Sequence, residues 1–409
     1  MMISPISIDQ YEEQLEVIYR QINRIAQGNQ LRVLNAFREH GLSESHFRNY
    51  TGYGYGDAGR DIMEKIWARI FGAEDALVRS GIVSGTHALT LVMAAHLRSG
   101  DELCSLTGTP YDTMQQVIGT RGNSPQSLLN RGISYRELPL LADGTVDKDS
   151  IASAIGKQTK MVLLQRSRGY SLRKSLGCAE IKELVTAVRQ IKPEVIVLVD
   201  NCYGEFVEEQ EPCSVGANLV AGSLIKNPGG GIIPGGGYIA GDRSLVEQVA
   251  EWLTAPGLGK EVGPTLVDQR LMFQGLFMAP SVVANALKGA ALIAMVMEGL
   301  GYQTNPRAEE PRVDIVQAIN LGSAEKVLRF CQVVQQMSPV DSQAHLEYGD
   351  MPGYDDPIVM AAGTFVQGSS IELSCDAPRR EPFTAYWQGG LTYEHVRCVV
   401  QALYDLFSE

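Results

Sequence analysis

The sequence is poor in the residues that build metal centres and disulfide frameworks, with six histidines and seven cysteines in 409 residues. No two histidines stand at H-x-x-x-H spacing. Cys104, Cys178, Cys202, Cys213, Cys331, Cys375 and Cys398 are scattered, odd in number and without a C-x-x-C pair. This argues against a zinc site or a disulfide scaffold and for reduced, mostly buried thiols. Basic charge is also in deficit: 35 Lys and Arg against 47 Asp and Glu leave a net charge of -12. The chain as a whole therefore repels nucleic acid and anionic membranes. The longest uncharged apolar run, residues 289–297 between Lys288 and Glu298, falls far short of the roughly 20 residues that span a bilayer and reads as a buried helix. Residues 1–10 lack a basic stretch followed by an apolar one, so no signal peptide is expected and the cytoplasm is the expected location. Walker A and G-x-S-x-G patterns are missing as well, which excludes a P-loop NTPase and an α/β-hydrolase. Gly54-Tyr-Gly56-Asp-Ala-Gly59 matches G-x-G-x-x-G, but no strand precedes it and no dinucleotide site is assigned there.

What is present is an average globular composition, 44% apolar and 20% charged, over a length that favours a large domain plus a smaller one. Leu15, Ile18, Ile22, Ile25, Leu31 and Leu34 recur at helical spacing and predict an amphipathic helix over residues 11–40, broken near Gly28. Residues 49–59 are dense in Gly and Tyr and predict a loop. Helices are then expected at 60–71, 86–97, 111–119 and 178–190, alternating with strands at 103–106, 161–164, 195–199, 219–221 and 237–240. Continuous apolar β-branched runs between helices mark a mainly parallel sheet covered on both faces, a doubly wound α/β core. A long helix over 276–301, a helix over 323–335, a strand near 370–374 and a helix over 393–407 suggest a smaller α+β domain. The expected division is an N-terminal helical arm and loop (1–57), a large domain (58–300) and a C-terminal small domain (301–409).

In such sheets ligands sit beyond the carboxyl ends of the strands, here residues 165–170, 200–203 and 222–226. The informative stretch is Val195-Ile-Val-Leu-Val-Asp200-Asn-Cys-Tyr203 followed by Ala221-Gly-Ser223-Leu-Ile-Lys226-Asn-Pro-Gly-Gly-Gly231. An Asp that closes a buried strand needs a cation, and a Lys on a Gly-rich turn lies near the same sheet edge. Pyridoxal phosphate satisfies both, since a carboxylate keeps its ring nitrogen protonated and a lysine forms a Schiff base with its aldehyde. The plain alternative is a capping Asp and an exposed Lys. Ser84-Gly85-Thr86 opens a helix, where free backbone N–H groups and hydroxyls bind an anion such as a phosphate. Ser223 offers another hydroxyl, and Tyr111 after Pro110 is placed to stack on a ring.

The ordered set Tyr55…Arg60, Ser84-Gly-Thr86, Tyr111, Asp200, Ser223…Lys226 resembles the fold type I pyridoxal-phosphate enzymes of sulfur amino acid metabolism. More closely, Thr51-Gly-Tyr-Gly-Tyr-Gly-Asp57, Gly72-Ala-Glu-Asp-Ala-Leu-Val-Arg79, Ser84-Gly-Thr-His-Ala88 and Gln388-Gly-Gly-Leu-Thr-Tyr-Glu394 are similar to the methionine γ-lyase-like proteins often labelled aluminium resistance proteins. The resemblance implies a three-layer fold type I large domain with pyridoxal 5'-phosphate on Lys226, which also moves the Cα proton, and Asp200 on the ring nitrogen. Ser84, Gly85, Thr86 and Ser223 would hold the phosphate, helped across a subunit boundary by Tyr53 or Tyr55 and Arg60. Tyr111 would stack on the ring and protonate a leaving thiolate. Arg380, favoured over Arg379, would bind the substrate carboxylate, a bidentate task that suits arginine.

Two departures stand out. Ile225 precedes the lysine where Thr is usual, and Gln165-Arg-Ser-Arg-Gly-Tyr170 replaces an Asn-Pro turn. This segment carries four positive charges through Lys174. It is either a solvated loop or a substrate-side anion site using Arg168 or Tyr170. The resemblance implies a carbon–sulfur lyase for an amino acid, assembled as a homodimer or homotetramer with shared sites. The alternatives are an aminotransferase or aldol-type lyase on the same fold, or a non-catalytic relative linked to metal tolerance.

Overall fold

Strand composition sets the architecture. β1 (Asp75–Arg79), β4 (Thr159–Gln165) and β5 (Ile196–Asp200) are almost continuously apolar because both of their faces are covered. Along β5, Val197 and Val199 enter one apolar cluster, whereas Ile196 and Leu198 enter the cluster on the opposite face. In a computed structural model, which describes residues 7–351 and 354–408, these strands join β2 (Glu102–Ser105), β3 (Ser134–Glu137), β6 (Leu219–Ser223) and β7 (Gly237–Gly241) in one sheet. Its order is β1-β7-β6-β5-β4-β2-β3, and every pairing is parallel except those that β7 makes with β1 and β6. Helices Ala58–Phe71 and Cys178–Ile191 cover one face, and Gly85–His96 and Arg243–Leu253 the other. The three-layer α/β expectation is met.

Residues 303–388 add a second, wholly antiparallel sheet in the order β10-β11-β12-β9-β8. Its strands are β8 (Gln303–Asn305), β9 (Val316–Asn320), β10 (Ile358–Ala361), β11 (Ser374–Pro378) and β12 (Thr384–Gln388). Helices Ala324–Gln336 and Tyr393–Phe407 pack on it. Helix Gln269–Gly299 joins the two units, with Met272 to Leu287 in the large-sheet cluster and Ala291 to Met297 in the small-sheet cluster. Among the described residues it is the one helix long and apolar enough to cross a membrane, and it is buried inside the protein.

Two local expectations are corrected. The N-terminal helix breaks at Leu15, between Ile8–Gln14 and Glu16–Glu39, and runs through Gly28. Its buried face holds it there: Asn29 Nδ2 donates to Phe206 O at 2.7 Å and Glu208 O at 3.2 Å. The strand expected at 370–374 begins only at Ser374. Before it, the Glu372 carboxylate accepts from Phe365 N and Val366 N and closes a turn. Residues 1–6, on which part of the leader expectation fell, lie outside the described residues.

Trp67 is fully buried between Phe71, stacked at 5.3 Å with an interplanar angle of 3°, and Tyr238 at 5.1 Å. Tyr238 sits behind the site strands, so this aromatic stack supports them. Trp67→Ala is expected to cost about 3–5 kcal/mol through lost burial and the cavity left behind. A urea titration of the two proteins by circular dichroism checks it.

Candidate active site

The parallel register of β4, β5 and β6 sets Gln165 beside Asp200 and Asp200 beside Ala221, so β4 and β5 end level and β6 runs two residues past them to Ser223. Past them opens a cavity of about 270 Å³. Asp200 is buried there. Burial raises its carboxyl pKa, and Lys226 and the Cys202 N–H, which donates to Oδ1 at 3.2 Å, pull in the opposite direction.

On one side the cavity meets the start of helix Gly85–His96. The Ser84 hydroxyl caps it by accepting from His87 N at 3.0 Å, which leaves the first N–H groups facing the cavity. A Cβ at position 85 would lie 3.0 Å from Cys202 Sγ and 3.5 Å from Ser223 Cβ, so glycine lets the helix end close on the β5 and β6 ends without crowding them. Thr86 Oγ1 and the Tyr111 hydroxyl lie 3.2 Å apart, and Tyr111 N is held by Gln165 Oε1 at 3.2 Å. Burial, then Asp200, lift the Tyr111 phenol well above its ordinary range, so it stays protonated.

Lys226 follows β6 on a tight turn. A Cβ at Gly229 would collide with Leu224 O at 1.8 Å, which explains why glycine follows the Lys-Asn-Pro sequence. Burial disfavours the Lys226 ammonium, but the polar groups around it, Tyr203 and Asp200 among them, outweigh burial and hold the amine protonated. Its Nζ lies 3.8 Å from the centre of the Tyr203 ring.

The remaining wall is formed by Gln165, Ser167, Gly169, Tyr170, Ile225 and Tyr354. Tyr170 donates to Asp376 Oδ2 at 2.9 Å, and that oxygen also accepts from Gln388 Nε2 at 2.8 Å. The charge run around Tyr170 is not a solvated loop: Tyr170 itself lines the cavity, and the run's arginines are buried structural clamps. Arg166 bonds Asn201 Oδ1 and Glu208, and Arg173 bonds the carbonyls of Gln165 and Ser167. Arg168 donates to Asn305 O at 2.9 Å and is not part of the cavity wall, a correction to its expected substrate contact. Arg380 is not part of the cavity wall either, but it is tied to it, with Nη2 on Tyr170 O at 2.9 Å and Nη1 on Asp356 at 3.2 Å. Arg379 lies over the Tyr348 ring instead.

The cavity thus collects Ser84, Gly85, Thr86, Tyr111, Asp200, Ser223, Lys226 and Tyr170 from distant parts of the chain. It does not collect Tyr53, Tyr55 or Arg60 within one chain. Tyr53 and Tyr55 are 74% and 62% exposed, and their rings pack on each other at 5.7 Å. Arg60 is buried, spent on Gly54 O, Gly263 O and Asp61 to lock that loop. Sequence reasoning did not assign Cys202, Tyr203 or Tyr354 a place here. The first two adjoin Asp200 and were findable by position, whereas Tyr354 sits in a loop without any motif.

The residues present fit pyridoxal phosphate. A buried carboxylate, a half-buried lysine and a hydroxyl-lined helix start where glycine leaves room for an anion face one cavity.

Comparison with known proteins agrees. The methionine gamma-lyase family profile matches residues 6–407. The uncharacterized protein YnbB of Bacillus subtilis is 47% identical over 395 residues, 96% of this chain and 94% of that protein. A crystal structure of a carbon-sulfur lyase involved in aluminum resistance from Clostridium novyi superposes with a TM-score of 0.93 at 44% identity, over 98% of this chain and 94% of that one. A Listeria monocytogenes structure, named provisionally as a cystathionine beta-lyase involved in aluminum resistance, gives 0.94 at 47% identity over 96% and 97%. The fold is that of the fold type I enzymes, and the family depends on pyridoxal phosphate. By sequence, fold and site the chain belongs to the methionine gamma-lyase family of carbon–sulfur lyases.

Proposed function

We propose that this protein eliminates a sulfur leaving group from the β or γ carbon of an amino acid, as a methionine γ-lyase or cystathionine β-lyase does, to give a keto acid, ammonia and a thiol. The observation that carries the reading is the meeting of half-buried Lys226 and buried Asp200 across one cavity beside the open start of helix Gly85–His96. Pyridoxal phosphate, when bound there, supplies an electron sink for the substrate's Cα.

The chain's own groups do the rest. Asp200 holds the proton on the ring nitrogen, and Ser84, Gly85, Thr86 and Ser223 hold the phosphate. Lys226 takes the proton from Cα and delivers it onward. The Tyr111 phenol, kept protonated by burial, is the acid for the leaving sulfur and packs on the cofactor ring. Arg380 releases Asp356 to grip the substrate carboxylate, and Tyr170 closes the substrate side. The exposed Tyr53 and Tyr55, on a loop locked by Arg60, reach the cavity of a second copy, which makes the working unit a homodimer or a homotetramer built from it. The seven thiols are free, which suits a reducing cytoplasm.

Incubating the holoenzyme with methionine, cystathionine and S-substituted cysteines tests the reading. Thiol and ammonia are expected in equal amounts from at least one of them. Amino-group transfer to an added keto acid without thiol release would replace elimination by transamination.

A further inference from the structure

Resting on the cofactor reading above, we infer that the Tyr203 ring is the dock for the Lys226 amine whenever that amine is not bonded to the cofactor. The backbone first marks this residue. Tyr203 has φ 74°, in the left-handed region where a bulky side chain is strained, and strain of this kind gathers at functional sites. Two hydrogen bonds to its carbonyl hold it there. Asn227 Nδ2, next to Lys226, donates at 2.9 Å, and Ile315 N, just before β9, donates at 3.2 Å. The conformation turns the ring into the cavity, with Lys226 Nζ 3.8 Å from its centre, a direct cation–π distance.

The other groups facing Lys226 do not replace it. Tyr111 and Cys202 are kept protonated by burial, and burial pushes Glu205 up to about 8. Asp376, raised by burial to about 6, is occupied by Tyr170 and Gln388. Asp200 is taken by the ring nitrogen once the cofactor is in place. The Tyr203 face therefore remains free for a lysine that the substrate's amine has displaced. Docking there keeps a flexible four-carbon amine from wandering over the cavity, and the ring face then holds the ammonium that forms once Lys226 has taken the Cα proton. Tyr203 is accordingly a positioning residue for Lys226.

Cofactor capture by the cofactor-free protein reads this without turnover. The neutral lysine nitrogen adds to the aldehyde carbon and water leaves, so capture slows where the ammonium is stabilised. Wild type, Tyr203→Phe and Tyr203→Leu are mixed with pyridoxal phosphate across a pH series, and growth of the visible band is followed. Tyr203→Leu should move the pH of half-maximal rate down by about one unit, and Tyr203→Phe by less than half as much, because the ring remains. An unchanged midpoint in Tyr203→Leu overturns the inference, as does a Phe variant that shifts as far as Leu. If circular dichroism shows the Leu variant unfolded, a ring-fluorinated phenylalanine at position 203 keeps the shape and drains the ring face. It should give the same downward shift, and no shift would overturn the dock. A wild type that forms no band at any pH would instead overturn the cofactor reading itself.

Discussion

Lys226→Ala is expected to lower kcat/KM by at least about 10⁴-fold, because one side chain supplies both the covalent hold on the cofactor and the proton carrier at Cα. No neighbour can substitute for it. Among the residues lining the cavity, Lys226 is the one amine, and the nearby arginines 166, 168 and 173 are tied to carbonyls, an amide and carboxylates. The phosphate cup is untouched by the change, so the variant should still take up pyridoxal phosphate reversibly. Absorbance before and after borohydride separates the two roles. Wild type should retain the label on the chain after reduction, and the variant should lose it on dialysis. A variant that keeps the label would move the linkage to another lysine and remove Lys226 from the mechanism.

The parts of this site that can be read from sequence are those whose chemistry is contiguous. Asp200 ends a run of buried β-branched residues, and Ser223 and Lys226 stand three apart on one turn. Ser84, Gly85 and Thr86 open one helix. In each case strand or helix periodicity alone fixes which end faces the ligand. What cannot be read depends on partners far along the chain. Arg166, Arg168 and Arg173 look like a solvated charge run until Glu208, Asn201 and Asn305 fold onto them. Gly28 looks like a helix break until Asn29 anchors on residues 206 and 208. The short strands of the second sheet have no long apolar run, and Tyr354 reaches the cavity from the loop between helix Ala324–Gln336 and β10, which carries no motif. The reversed β7 also escapes sequence reading, since a strand of five buried residues pairs equally well in either direction.

Asp200→Asn separates what the carboxylate does for catalysis from what it costs the fold. Asparagine keeps the shape and the oxygen that accepts from Cys202 N, but it cannot hold a proton on the cofactor's ring nitrogen. Turnover should fall by about 10²–10³-fold, the usual loss when a preorganised electrostatic contact to the reacting system is removed. Stability of the cofactor-free protein should move the other way. Burial raises the Asp200 pKa above its unfolded value, and Lys226 only partly offsets this. A carboxyl raised in the folded state contributes stability below its unfolded pKa and loses it as pH rises through the folded value. At neutral pH the wild type therefore carries an unfavourable buried charge that asparagine lacks. The cofactor-free variant should melt at or above the wild-type temperature at pH 7, and the gap should close as pH falls and Asp200 takes up its proton. Pyridoxal phosphate should reverse the order, because its ring nitrogen supplies the charge that Asp200 lacks a full partner for and thereby stabilises the wild type more than the variant. Calorimetric scans of both proteins, with and without cofactor at pH 5 and pH 7, read all four states. A variant that melts lower in every one of them would mean that Asp200 serves the fold and leave the ring-nitrogen role without support.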